Sequence, residues 1–224
     1  MFFSAATVAG FQLQPMSATI DPTAGGTTSF EVRNTTNAPI AVQMRATTRR
    51  ILPDGTELND DASDQLQIFP SQLILRPAQV QTVRVRWLGD QTLLRERAFR
   101  LVAEQLPINL ERSAEESSSV RMMLRYRASL YVRPPGAARD VVVSDLFTEN
   151  DEVSFTIENR GTAHAFIGEA LAVIGNDGEQ TEIRAEEIET FTTINVLPGG
   201  SRRVSIPQDA FPVVPDELSF RFER

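Results

Sequence analysis

The sequence has no cysteine and only one histidine, one tryptophan and two tyrosines among 224 residues. Without cysteine there can be no disulfide, thiolate metal site or cysteine nucleophile. His164 alone cannot make a two-histidine metal site or supply a triad with a second imidazole. Lysine is absent too, so all 22 basic residues are arginine. Against 30 acidic residues they leave a net charge of −8, a poor balance for the dense phosphate neutralisation of nucleic-acid binding. No glycine-rich phosphate loop or nucleophile elbow occurs. Asn59, Asp60, Asp61 and Asp64 lack the glycine turn and closing bidentate glutamate of a calcium loop, and read as solvated loop. His164, after the Asn159-Arg160-Gly161-Thr162 turn, reads as a satisfied turn histidine. A glycan-acting enzyme would need paired acids around a groove, which nothing in the pattern provides. No metal, cofactor or catalytic residue is therefore expected, and no helix-period stretch of convincing length is found.

The composition is 41% hydrophobic and 23% charged, and the length suits two domains of ~110 residues. Apolar and polar positions alternate at 11–14, 29–33, 41–46, 83–87, 99–104 and 153–157, the period of half-buried strands. Turn residues separate them: Asp21-Pro22 with Gly25-Gly26, Pro53-Asp54-Gly55, Asn176-Asp177-Gly178 and Pro198-Gly199-Gly200. Glu182–Thr190 could form a turn or two of helix, but the threonine- and isoleucine-rich continuation favours strand. Ser29-Phe30-x-Val32-x-Asn34 recurs 125 positions later as Ser154-Phe155-x-Ile157-x-Asn159, so each half repeats one strand-and-turn unit. The boundary is expected at Arg133-Pro134-Pro135-Gly136, where two prolines cannot continue a ladder. Two all-β sandwiches, 1–133 and 134–224, joined by a short stiff connection are the expected architecture. Met1–Gly10, apolar and too short to span a bilayer, is read as the remnant of a secretory signal, with an ordered first strand as the alternative. In the first case the domain begins near residue 11.

Phe11-x-Leu13 opens the first strand, and Phe30-x-Val32-x-Asn34 is followed by Pro39. Ile68-Phe69-Pro70 leads through Leu75-Arg76-Pro77 to Val83-Arg84-Val85. Arg95-Glu96-Arg97-x-Phe99-Arg100-Leu101 runs to Gln105-Leu106-Pro107, and Leu130-Tyr131-Val132-Arg133-Pro134 closes the half. These segments, in this order and spacing, resemble the PapD-like periplasmic chaperones of the chaperone–usher pilus pathway. The second half matches only at Asn159 and Leu197-Pro198-Gly199. The resemblance implies two immunoglobulin-like sandwiches in a boomerang arrangement and a periplasmic location. It also implies a function: the chaperone closes an incomplete fimbrial subunit with its own strand, then delivers it to an outer-membrane usher. No nucleic acid, membrane insertion or cofactor is implied. The rival reading is an immunoglobulin-like surface or pilus component that closes its own sandwiches.

The lent strand is expected from Val120 to Val132, whose even positions are Val120, Met122, Leu124, Tyr126, Ala128 and Leu130. Val120, Met122 and Leu124 align with the family's groove-filling positions. Fully buried, such side chains contribute ~1.5–3 kcal/mol each, on the order of 5–9 together before ordering costs. The family anchors the subunit's terminal carboxylate with an Arg and a Lys, but register places Ser17 and Ser129 there. Arg100 and Arg127, with Arg125 behind them, are the substitute anchors, the alternative being solvated face residues. This departure fits a divergent branch that serves spore-coat-U-like subunits. Glu96 and Arg133 align with an interdomain ion pair that Asp209 or Asp216 would complete. Phe69-Pro70 falls where the family often has a cis peptide. An unpaired apolar edge invites aggregation, so the free protein is expected to cap it by dimerising or with 108–119.

Overall fold

The computed structural model describes residues 10–107 and 123–223. Met1–Ala9, the 108–119 segment, Val120 and Met122 lie outside the described residues. The chain divides into two compact units. The first comprises residues up to Arg49, Asn59–Leu93 and Arg97–Arg133; the second comprises Arg50–Leu58, Leu94–Glu96 and Pro134–Arg224.

In the first unit, β1 (Phe11–Gln14), β2 (Ser17–Ile20), β3 (Thr27–Asn34) and β4 (Ile40–Thr48) come before the insertion. The hairpin of β5 (Arg50–Ile51) and β6 (Glu57–Leu58) belongs to the second unit. The first unit resumes with β7 (Leu66–Phe69), β8 (Gln72–Leu75), β9 (Val80–Trp87), β10 (Arg97–Gln105) and β11 (Arg125–Val132). Among the described residues these form two sheets, β1-β3-β9-β7 and β2-β11-β10-β4-β8. Inward positions such as Phe30, Val83, Leu101 and Leu130 fill one core between them. Strand alternation thus becomes a two-faced sheet, one face dry and one wet. Phe11 meets Tyr126 edge-on, ring centroids 5.0 Å apart. The Phe69–Pro70 peptide is cis, as the resemblance implies, and so is Gln14–Pro15.

The second unit contains β12 (Val141–Glu149), β13 (Glu152–Asn159), β14 (Ala165–Phe166) and β15 (Leu171–Asn176). It continues with β16 (Glu179–Arg184), β17 (Asn195–Val196), β18 (Ser201–Pro207) and β19 (Glu217–Arg221). Sheets β12-β13-β18, β16-β15-β19 and β14-β17 surround Phe191, against which Phe155, Phe211 and Phe220 pack. The hairpin loop Asp177-Gly178 has both residues at positive φ, 49° and 82°. That conformation matches the twist of paired strands and suits Asp-Gly.

The expected strand at Glu182–Thr190 holds only to Arg184; Ala185–Glu187 and Glu189–Thr193 are 3₁₀ turns. Ala185, Ile188, Phe191 and Ile194 are all buried. Each accepts or donates an i→i+3 backbone bond: Ile188 N–H to Ala185 O, Phe191 N–H to Ile188 O, and Ile194 N–H to Phe191 O. A period of three is that of a 3₁₀ helix, and here it overrides the strand preference of threonine and isoleucine.

The internal repeat is a shared turn. Asn34 Nδ2 donates to Ala38 O (2.8 Å) and Leu75 O (3.0 Å), and its Oδ1 accepts from Thr36 N–H. Asn159 Nδ2 donates to Ala163 O (2.8 Å) and Val196 O (2.9 Å), and its Oδ1 accepts from Gly161 N–H. One buried amide in each unit ties a strand end to the following loop and to a distant strand.

Candidate functional site: an arginine-bearing sheet face and its edge

β11 pairs antiparallel with β10 from Glu104↔Arg125 to Arg97↔Val132. The Gln105 N–H also donates to Leu124 O at 3.0 Å. On the other side β2 runs parallel to β11, and only over Ser129–Val132. Upstream of Ser129, therefore, β2 does not accompany β11. Ser129 N–H donates to Met16 O and Arg133 N–H to Ile20 O. Odd-numbered residues of β11 thus turn their backbone groups toward the β2 side, and by the ladder's two-residue period so do Arg125 and Arg127.

Ser17 and Ser129 are direct partners in the β2–β11 register. Arg100, opposite Ser129 on β10, donates from Nη1 to Ser129 Oγ at 2.7 Å. An arginine from the next strand therefore reaches the position where the serines stand. Arg127 is one pleat away on the same face, opposite Val102. Arg125 is ion-paired with Glu104. The structure thus brings the three predicted arginines onto one face. Arg45 and Thr47 of β4 join it, because Arg45 pairs in register with Val102 and Thr47 with Arg100. Arg45, Thr47, Asn59, Val102, Arg125 and Arg127 line a cavity of about 240 Å³. Sequence reasoning missed Arg45, Thr47 and Asn59. Alternation along β4 was visible, but the β4–β10 register was not.

Of the three expected groove-filling residues only Leu124 is described. It is partly buried and packs against the core of its own unit, close to Gly10. Met123, its neighbour, is 58% exposed. Among the described residues β11 begins at Arg125; Val120 and Met122, where the lent strand is expected to start, lie outside them.

Glu96 belongs to the second unit by its contacts. Its side chain is fully buried, and Oε1 lies 2.7 Å from His164 Nδ1 while accepting the His164 N–H at 3.1 Å. The turn histidine is therefore satisfied by a carboxylate 68 residues away. Arg133 bonds through its N–H to Ile20. Asp216 Oδ2 accepts the Asp177 N–H at 2.8 Å, and Asp209 is exposed in the 3₁₀ turn Gln208–Ala210. Asp61, in the acidic loop, accepts from the Ser63 hydroxyl and N–H; with Arg45 nearby, these bonds hold its carboxyl below the usual range.

Two β-sandwich units with this edge and face define an immunoglobulin-like chaperone fold, all-β apart from short 3₁₀ turns. The chain belongs to the family described as pili and flagellar-assembly chaperone, PapD N-terminal domain, whose model matches residues 16–138. It is a pilus-assembly chaperone of the PapD type, a family of chaperones and not of enzymes. No curated protein matches the chain. Among solved structures, the class 5 fimbriae chaperone CfaA is similar with a TM-score of 0.64 at 13% identity, over 96% of this chain and 93% of that one. The CsuC–CsuE chaperone–tip adhesion subunit pre-assembly complex, from the archaic Csu pili of Acinetobacter baumannii, gives 0.57 at 15%, over 88% and 91%. The Salmonella enterica SafA pilin in complex with the SafB chaperone gives 0.57 at 18%, over 91% and 86%. At these identities the likeness concerns the fold.

Proposed function

We propose that this protein works in the periplasm, where it holds fimbrial subunits by lending them the strand that begins at Val120 and passes them to an outer-membrane usher. The observation that carries the reading is the edge of β11. β2 accompanies that strand only from Ser129 onward, and Arg100 stands at the junction with its guanidinium on Ser129. A subunit strand added along the upstream edge would end at that guanidinium, where a terminal carboxylate gains charge-assisted bonds. Arg127 and Arg125 follow on the same face, and Val120 and Met122 would fill the subunit's groove, joined by Leu124 once it leaves its seat on its own unit's core. Complexes of CsuC with CsuE and of SafB with SafA give the precedent in fold. Glu96 and Arg133 are assigned to positioning the domains, split at Arg133, with Asp209 or Asp216 as the third member. The same edge in the free protein is closed by a second copy or by 108–119.

The test is co-expression with small secreted β-rich candidates, followed by pull-down and sedimentation. A subunit insoluble alone should co-purify one to one with the chaperone. Val120→Glu with Met122→Glu should abolish capture, and Arg100→Ala with Arg127→Ala should cut it about tenfold or more, as expected for loss of charged hydrogen bonds. Capture unchanged in both variants would overturn the reading.

A further inference from the structure

The outer face of the β12-β13-β18 sheet, in the second unit, carries a cavity of about 550 Å³. Its floor is made of small hydroxyl side chains. Ser154 and Thr156 of β13 and Ser205 of β18 turn outward, because Phe155 and Val204 beside them are buried inward. Beyond β18 the turn of the β5–β6 hairpin forms one wall: Arg203 N–H donates to Pro53 O at 2.7 Å, and Asp54 lines the cavity. The opposite wall is Phe147 of β12, whose ring is 53% exposed.

A bulge puts that ring there. Ser144 pairs with Thr156 and Phe147 with Ser154, so three steps along β12 match two along β13. In a regular ladder Leu146 would lie opposite Ser154 and face outward, and Phe147 would face the core. With the extra residue, Leu146 packs on the core and Phe147 turns to solvent. Asp145, inside the bulge, has φ at 53°, a left-handed conformation unfavourable for any residue but glycine. Bulges that re-aim a side chain at such a cost recur at binding and active sites.

We infer that this cavity binds a neutral saccharide, one pyranose ring laid against Phe147 with its hydroxyls on the Ser154–Thr156–Ser205 floor. The inference concerns the second unit alone and goes beyond strand lending. The hydrogen bonds of the floor have a direction. Ser205 Oγ donates to Glu152 Oε2, which leaves Ser154 Oγ, 3.0 Å from Ser205 Oγ, to donate to it. With both protons committed, the two oxygens offer the cavity lone pairs, side by side. Two adjacent acceptors fit the neighbouring hydroxyls of a sugar ring. Asp145 adds another acceptor and Arg203 a set of donors. Both are exposed, and neither is ion-paired among the described residues. Asp54 already accepts from Thr56 N–H and faces Arg202. Charge narrows the ligand further. Glu149 and Glu152 pair two residues along from Phe147 and Ser154, so with Asp54 and Asp145 they repel an anion, while Arg203 opposes a cation. The size agrees: β12 and β18 stand two strand spacings apart, about 9.6 Å, room for one ring between Phe147 and the hairpin. The carbon–hydrogen face of the sugar covers the exposed phenyl. A peptide strand fits less well, because the hairpin already takes the Arg203 N–H and the floor offers side chains rather than a backbone ladder.

The experiment titrates the full ¹⁵N-labelled chain with chitotetraose and with maltotetraose, following amide shifts. Galacturonate and an alternating valine–threonine peptide are the comparison probes. At least one tetrasaccharide should move the Phe147, Ser154, Thr156 and Ser205 amides saturably, with a Kd on the order of 1 mM. Galacturonate and the peptide should leave them in place. Phe147→Ala and Arg203→Gln should each weaken the saccharide about tenfold. Urea unfolding and subunit capture should stay as in wild type, since both side chains are exposed. The site is overturned if neither tetrasaccharide moves these amides, if the shifts survive Phe147→Ala, or if galacturonate or the peptide moves them equally. Each of those results leaves strand lending standing, because its own failure is read in the capture assay.

Discussion

Asn34 and Asn159 show what one side chain contributes to this fold. Each is 1% exposed and spends its amide on two carbonyls, one local and one on a distant segment. Asparagine serves because it offers two donors and an acceptor on a short stem. Removing it strands buried carbonyls and a turn N–H together. Asn34→Ala and Asn159→Ala should each cost about 2–3 kcal/mol in urea unfolding, the penalty of buried polar groups left unmade. A loss under half a kilocalorie at both sites would show that water replaces the amide. Glu96 follows the same logic: buried and bound to the backbone and ring of His164, it holds Leu94–Glu96 in the second unit.

At the scale of the element, β11 divides into two halves. Its last four residues lie between β10 and β2, while Arg125–Ala128 pairs with β10 and lies upstream of the start of β2. Leu124 marks the transition, resting on its own unit's core beside Gly10. A Cβ built on Gly10 would come within 2.1 Å of Leu124 Cδ1. Gly10→Ala should therefore push Leu124 off its seat. Its methyl resonances should shift, while stability falls by about 1 kcal/mol, a mild case of overpacking at a sheet edge. Unmoved methyls would mean that Leu124 is not held there. The segment from Ala185 to Ile194 shows how packing selects among local states: Ala185, Ile188, Phe191 and Ile194, at a three-residue interval, all join the core that contains Phe155 and Phe211. Only a tighter helix can direct them all inward.

At the scale of the whole molecule, four loops depend on ionised aspartates. The Asp21, Asp54, Asp61 and Asp90 carboxyls are all held below the usual 3.8, chiefly by bonds from Thr23, Thr56, Ser63 and Thr92. A carboxyl with a depressed folded value adds stability above its unfolded pKa and loses it as pH falls through the folded one. Stability should thus be level above pH 5 and decline below 3.8. Asp61→Asn combined with Asp90→Asn should flatten that decline in urea titrations at pH 3 and pH 6, and an unchanged slope would rule these loops out. All four groups are exposed, so each effect is small. The alternating strands, the repeated asparagine turn and the face shared by Arg100, Arg125 and Arg127 were legible in the chain. The Glu96–His164 contact was not, because nothing local links positions so far apart.

What the sequence by itself determined is the all-β character and, in the strands that alternate, which residues turn inward, because side-chain alternation is a property of one strand at a time. It also determined the family, through motifs local to single turns and strand ends. What only the tertiary structure decided is register. Arg45 faces Val102, Arg100 reaches Ser129, and β2 starts opposite Ser129, midway along β11, because of how separate strands align. A shift of two residues along any ladder would keep the same faces, satisfy the same alternation, and yet dismantle the arginine cavity.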